Sequence, residues 1–178
     1  MKKVLIISAS PRKGGNSDLL CDQFLKGAQE AGHQVEKIRL SDYKINYCQG
    51  CGACYTSHQC FQKDDMKPLL EKMIEADVIV LSTPVYFYSM NGQLKTFIDR
   101  CVPRYTDISD KEFYYIVTAA DTIQKNIART LGALRGFAED CLEGSKEKGI
   151  IYGLGAWHKG EIKDTPAFAQ AYKAGKNC

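Results

Sequence analysis

The sequence predicts a doubly wound α/β fold: an open parallel sheet of five strands in the order 2-1-3-4-5, with helices on both faces. Three observations carry that prediction. Short, continuously apolar runs alternate with amphipathic segments of helical period along the whole chain. The runs at 4–7 and 78–81 contain no polar residue, as strands covered on both faces require. Two loops of unusual composition, residues 8–17 and 83–91, follow the first and third runs, where that strand order reverses and a ligand crevice opens.

Val4, Leu5, Ile6 and Ile7 form the first strand, and Asn16 or Ser17 caps the helix that follows. Leu20, Phe24, Ala28 and Ala31 give that helix one apolar stripe, closed by Gly32. Val35, Ile38 and Leu40 mark a second, more polar strand nearer an edge. Residues 41–63 are a long connection, carrying a cysteine-rich insertion at about 44–63. Asp64 or Asp65 caps a helix whose Met66, Leu69, Leu70, Met73 and Ile74 fill the helical template. Val78, Ile79, Val80 and Leu81 form the third strand, expected to stop at Ser82-Thr83-Pro84 because proline does not continue a central strand. Leu94, Phe97, Ile98 and Cys101 mark the next helix, with Pro103 just past its end. Residues 113–118 are the fourth strand. Ile123, Ile127, Leu131, Leu134, Ala138 and Leu142 give one long helix closed by Gly144. Residues 149–154 are the fifth strand, and Thr165 caps a last helix with Pro166 in its first position. With no repeat, low-complexity stretch or linker, residues 1–178 are expected to form a single flavodoxin-like domain.

Composition removes several classes. Lys and Arg number 24 against 21 acids, a net charge of +3, and they are scattered, so no nucleic-acid surface is expected. No apolar run approaches the roughly 18–20 residues of a membrane span, so no membrane partner is expected either. Met1-Lys2-Lys3 leads straight into a strand rather than a signal peptide. Eight cysteines in such a chain point to a reducing cytoplasm.

The first loop, Ser8-Ala9-Ser10-Pro11-Arg12-Lys13-Gly14-Gly15-Asn16-Ser17, places hydroxyls, glycines and Arg12 between a buried strand and a helix start. Free N–H groups and partial positive charge at a helix N-terminus suit an anion. A Walker loop follows its lysine with Ser or Thr, but Lys13 is followed by Gly14. A phosphatase of similar fold needs a cysteine in this loop, and a phosphoacceptor domain needs acids at the first strand's end; both are absent. What remains is a phosphate ester held without cleavage, or an ordinary turn before a capped helix. The second loop is uncharged and aromatic. Tyr86, Phe87 and Tyr88 can pack a flat ring, or can fill core or a subunit contact. A phosphate at one loop and a flat heterocycle at the other describe a mononucleotide, for which FMN fits best.

Those loops, the cysteine-rich segment ending in Asp64-Asp65-Met66, and Thr83-Pro84-Val85-Tyr86-Phe87 followed by Leu94-Lys95-Thr96-Phe97-Ile98-Asp99-Arg100 resemble the NADPH-dependent FMN reductase family over almost the whole chain. Ala9 stands where that family often has glycine. The resemblance implies that Ser10, Arg12, Lys13, Asn16 and Ser17 hold the FMN phosphate, with Ser8 at the base of the same loop also counted as cofactor-binding. It implies that Pro84, Val85, Tyr86, Phe87 and Tyr88 line the isoalloxazine ring, and that Ala119, Ala120 and Asp121 close the far side. It implies an FMN-dependent NAD(P)H oxidoreductase, a homodimer or homotetramer with the flavin near a subunit contact. NAD(P)H would give hydride to the flavin, and a small or quinone-like electron acceptor would take the electrons. The cofactor carries that chemistry, so no catalytic side chain is assigned. Tyr86 and Tyr88 are read as shaping the pocket, because a phenol of pKa near 10 is a poor acid at neutral pH.

Cys48-x2-Cys51-x2-Cys54-x5-Cys60 is compact. Four thiolates at such spacing can ligate a [4Fe–4S] cluster. The spacing also matches the iron–sulfur flavoproteins, a close branch of the same fold, which would make the chain an electron carrier. Zinc is disfavoured, since its structural sites usually join two separated pairs. The other reading is free thiols packed as small hydrophobes against the next helix. Cys21 and Cys141 are expected within helices, Cys101 in the core, and Cys178 at a mobile end. Trp157-His158 either covers a partner subunit's pocket or belongs to a surface loop.

Overall fold

The computed structural model describes residues 1–178. The chain runs β1 (Lys3–Ser8), α1 (Asn16–Glu30), β2 (Gln34–Arg39), α2 (Cys54–Ser57), α3 (Met66–Glu75), β3 (Val78–Tyr86), β4 (Ser89–Met90), α4 (Gly92–Asp99), β5 (Glu112–Ala119), α5 (Ala128–Ala138), β6 (Lys146–Leu154) and α6 (Pro166–Lys176). Five strands lie parallel in the order β2-β1-β3-β5-β6, the order expected from the sequence. The sixth, β4, is a two-residue strand that folds back antiparallel on the end of β3. No helix is long and apolar enough to cross a membrane.

Strand alternation divides the core between two faces. Leu5, Ile7, Ile79, Leu81, Phe113, Tyr115 and Val117 join α3, α4 and α5 in a cluster of 27 buried residues. Val4, Ile6, Val78, Val80, Tyr114 and Ile116 meet α1 and α6 in a cluster of 15. Three helices cover the first face and two the second, which accounts for the imbalance. The α1–α6 pair approaches backbone to backbone. A Cβ on Gly27 would lie 2.1 Å from the Tyr172 carbonyl oxygen, and one on Gly175 would lie 2.0 Å from that of Phe24.

Four expectations change. The central strand β3 does not stop before Pro84; it runs on to Tyr86, with Pro84 in register with Thr118 of β5. Ser82 faces β1, accepting a bond from Ala9 N–H, so Pro84 two residues on faces the same side, where β1 has already ended. Its missing donor therefore leaves no gap in the ladder. The long helix through Leu142 is instead a 3₁₀ turn at Gln124–Ile127 and the shorter α5, and Gly144 lies in the turn before β6. Ile123 is half-exposed, so the stripe ran one turn too far at each end. Cys141 lies in that turn, exposed, rather than packed within a helix.

The predicted caps also do other work. Gly15 is the N-cap of α1, Asp65 that of α3 and Thr165 that of α6, none through a side-chain bond. Asp65 accepts instead from Lys44 N–H at 2.6 Å, closing the base of the 44–65 connection.

Candidate functional site

The carboxyl ends of β1, β3 and β5 open into a groove of about 230 Å³. One wall is the 10–17 loop with the start of α1. The first bond of α1 runs from Leu19 N–H to the Gly15 carbonyl, so the N–H groups of Asn16, Ser17 and Asp18 precede the helical ladder. Gly15 keeps this floor open. A Cβ there would lie 2.9 Å from the Arg12 carbonyl oxygen and 3.2 Å from Ser10 Oγ. Ser10 Oγ accepts from Arg12 N–H at 3.2 Å and tightens the turn. The opposite wall is the end of β3 (Pro84, Val85, Tyr86), faced by Thr118, Ala119 and Ala120 of β5 and its loop.

Of the expected cofactor-binding residues, Ser10, Arg12, Asn16, Ser17, Pro84, Val85, Tyr86, Ala119 and Ala120 line this groove. Ser8, Lys13, Phe87, Tyr88 and Asp121 do not. Ser8 is buried beneath the loop, its hydroxyl donated to Asp18 Oδ1 at 2.9 Å. Lys13 is exposed and contributes nothing to the groove lining. Phe87 and Tyr88 form the tip of the β3–β4 hairpin, both left-handed at φ 49° and 62°. That turn favours Asn-Gly, so two aromatic residues there are strained by roughly 1–2 kcal/mol each. Phe87 is fully exposed, and the Tyr88 ring lies under the Arg129 guanidinium at 6.0 Å. The Asp121 carboxylate accepts from Ile123 N–H and Asn126 Nδ2 and closes its own turn. Those bonds hold its carboxyl below the usual range.

Three residues missed from the sequence organise the groove. Asp18, in the first turn of α1, is buried. Its carboxylate accepts from Ser8 Oγ and from Gly14 N–H, each at 2.9 Å, and pairs with Lys37 Nζ at 2.8 Å. Arg39 Nε lies 3.7 Å away. Burial works against ionisation, but Lys37, Gly14 N–H and Ser8 outweigh it and hold the carboxyl below the ordinary range. Asn91 caps α4 through Leu94 N–H and donates Nδ2 to the Ala9 carbonyl at 2.6 Å, tying the two groove loops together. Its place before Gly92, at a helix start, was a legible capping signal. Lys159 enters from beyond β6, together with Trp157. Trp157, largely exposed in the loop after β6 as the surface-loop reading expects, also lines this chain's own groove.

A second cluster lies in the long connection and shares no lining residue with the groove. Cys48, Cys51, Cys54 and Cys60 line one cavity of about 50 Å³, with Arg100 and Pro103 as its floor. The donor set suits a [4Fe–4S] cluster. The side chains as placed do not converge in threes on a common point. Burial and the neighbouring thiols raise the Cys54 thiol. Arg100, buried at the end of α4, clamps the segment at both ends. Its Nη1 donates to the Asn46 carbonyl and to Asp64 Oδ2, both at 2.6 Å, and its Nη2 to Asp64 Oδ1 at 3.1 Å and to Cys60 Sγ at 3.4 Å. Burial opposes the Asp64 charge, but Arg100 and the N–H groups of Asn46 and Met66 hold its carboxyl below the usual range. Cys21 and Cys101 are core thiols raised by burial, Cys21 to about 12.

The groove therefore offers oriented N–H donors and unpaired cations at one end and a flat, weakly polar slot at the other. Comparisons with known proteins give the family and the fold. The family described as NADPH-dependent FMN reductase matches residues 2–136. An iron-sulfur flavoprotein of Archaeoglobus fulgidus is 45% identical over 101 residues, 57% of this chain and 46% of that protein. The chain spans about half the length of the curated relatives of that kind. A putative NAD(P)H-dependent FMN-containing oxidoreductase of Bacillus subtilis, YwqN, is 29% identical over 128 residues, 67% of each chain. Among solved structures, the NAD(P)H:quinone oxidoreductase from Methanothermobacter marburgensis superposes with a TM-score of 0.77 at 17% identity, covering 99% of this chain and 96% of that one, a likeness of fold.

Proposed function

The chain belongs to the NADPH-dependent FMN reductase family, and on that premise we propose that it is an FMN-dependent NAD(P)H oxidoreductase passing electrons to a small or quinone-like acceptor. One observation carries the reading. The helix-start anion cradle and the flat slot lined by Pro84, Tyr86 and Ala119 are two parts of a single groove at the sheet's switch point.

FMN, when bound, supplies hydride acceptance from a nicotinamide and electron delivery to an acceptor. The chain's part is to bind and orient. Arg12 and the first N–H groups of α1 hold the phosphate. Gly15 lets them approach it, and Asp18 fixes the turn from beneath. The β3 and β5 ends flank the ring, and Tyr86 gives the slot an aromatic edge. Lys13, exposed beside the turn, adds longer-range attraction only. Largely exposed Trp157 at the groove and fully exposed Phe87 at the hairpin tip next to Tyr86 are apolar surface that supports a homodimer or homotetramer with a subunit contact there. Four cysteines on one exposed loop suit a reducing cytoplasm.

The cysteine cavity favours a second reading beside this one. In it Cys48, Cys51, Cys54 and Cys60 hold a [4Fe–4S] cluster and the chain is an electron carrier; the relatives named iron-sulfur flavoproteins support it. The experiment is anaerobic purification with absorption spectroscopy, iron and sulfide assay, FMN titration and NAD(P)H oxidation with a quinone acceptor. Stoichiometric FMN with turnover and no iron supports the oxidoreductase. Near four irons per chain with no turnover lacking a protein partner supports the carrier. Failure to bind FMN at micromolar concentration overturns both.

A further inference from the structure

We propose that Lys159, from the loop after β6, is a phosphate ligand of the FMN groove, and that Asn16 positions it. The inference rests on the FMN reading above. Lys159 lies outside the part of the chain that the family match covers, so the match says nothing about it.

The loop is held against the cradle at several points. Asn16 Nδ2 donates to the Ala156 carbonyl at 3.2 Å and to the His158 carbonyl at 2.9 Å, and its Oδ1 accepts from Gly160 N–H at 2.9 Å. Both donors of the Asn16 side chain are thus spent on the loop. What Asn16 itself can offer an anion is its backbone N–H. From the other side, Glu161 Oε2 accepts the N–H groups of Trp157 and His158, each at 2.8 Å. Gly160 turns the chain with φ at 97°.

These bonds place the Lys159 side chain over the phosphate turn. A Cβ built on Gly14 would lie 3.3 Å from Lys159 Cε and 3.5 Å from its Nζ. Lys159 and Arg12 both line the groove, and neither makes an ion pair within the chain. Charge points the same way. A phosphate monoester carries about −1.5 to −2 at neutral pH. Arg12 and a helix N-terminus of roughly +0.5 leave part of that charge uncompensated. The remainder is at most about half a charge, and Lys159 is the cation the fold brings there to meet it.

The test compares FMN with riboflavin, which lacks the phosphate, by flavin-fluorescence titration of the full chain. Lys159→Ala is expected to weaken FMN about tenfold and leave riboflavin unchanged. Lys159→Arg, which keeps the cation, is expected to restore most of the FMN affinity. The salt dependence of FMN binding is expected to flatten in Lys159→Ala and not in Lys159→Arg. Equal FMN affinity in wild type and Lys159→Ala overturns the proposal. So does an equal loss for both flavins, which would mean that the loop only covers the groove. Wild-type protein that binds neither flavin overturns the FMN reading itself, and this inference with it.

Discussion

Asp18→Asn is the sharpest perturbation of the 8–17 turn. Oδ1 accepts from Ser8 Oγ and Lys37, and Oδ2 from Gly14 N–H. An asparagine has one acceptor oxygen and one NH₂ group. In either orientation the NH₂ group meets a donor, Gly14 N–H on one side or the Ser8–Lys37 pair on the other. Removing one member of a buried pair costs about 3–5 kcal/mol when its partner is stranded. Here neither partner is stranded. Lys37 keeps Asp22 at 2.5 Å and Arg39 keeps Asp42 at 3.4 Å, both half-exposed carboxylates. The expected loss is therefore smaller, about 2 kcal/mol at neutral pH. Urea denaturation at fixed flavin content should show the midpoint falling by roughly 1 M. FMN affinity should fall with it, because Gly14 loses its anchor. The effect carries a pH signature. The Asp18 carboxyl is held below its ordinary range in the folded protein. Its contribution is complete above the unfolded carboxylate value and is lost as pH falls through the lower folded value. The wild-type advantage over Asp18→Asn should stay constant from pH 7 to about 5 and shrink below that. A difference under about 0.5 kcal/mol, or one that persists unchanged into acid, refutes the reasoning.

Arg12→Ala should weaken FMN by about 1.5–3 kcal/mol and leave riboflavin unchanged, read by the same fluorescence titration. Gly15→Ala should leave the far-UV circular dichroism unchanged and lower FMN affinity about tenfold, because the new Cβ presses on the Arg12 carbonyl oxygen. Arg100→Met should cost about 3 kcal/mol, since it strands buried Asp64. Limited proteolysis should then cut faster within residues 48–62, and adding Asp64→Asn should recover part of the loss.

The sheet was legible because its strands are buried on both faces. Residues 4–7 and 78–81 are continuous apolar runs for the same reason that each face has its own core, and their order follows from alternation with helices. Errors fell where a local rule met a tertiary exception. Proline stops a strand only if its missing donor has a partner to lose, and Pro84 lies past the end of β1. Serine and asparagine at a helix start cap it only if nothing nearby needs them more, and here Ser17 pairs with Thr118 Oγ1 at 2.6 Å while Asn16 bonds the 156–160 loop.

The same competition explains what was legible in the site. Residues near each other in sequence supply one wall of the groove, so the 8–17 loop is legible directly as a candidate anion site. Ser8 and Ser17 illustrate the limit. Both carry the right atom in the right loop, yet each hydroxyl is engaged by a residue of the fold's interior, Asp18 for one and Thr118 for the other. Spacing identifies which residues reach a loop, but not which of them the interior has already taken. The free groups are then those that no carboxylate or carbonyl nearby can claim. Arg12 meets that condition from within the motif. Lys159 meets it from 145 positions beyond Gly14, a separation across which no local pattern reaches. A cradle assembled this way depends on the far loop as much as on the near one. Losing the three bonds of Asn16 should therefore lower FMN affinity even though no phosphate contact from that side chain is removed.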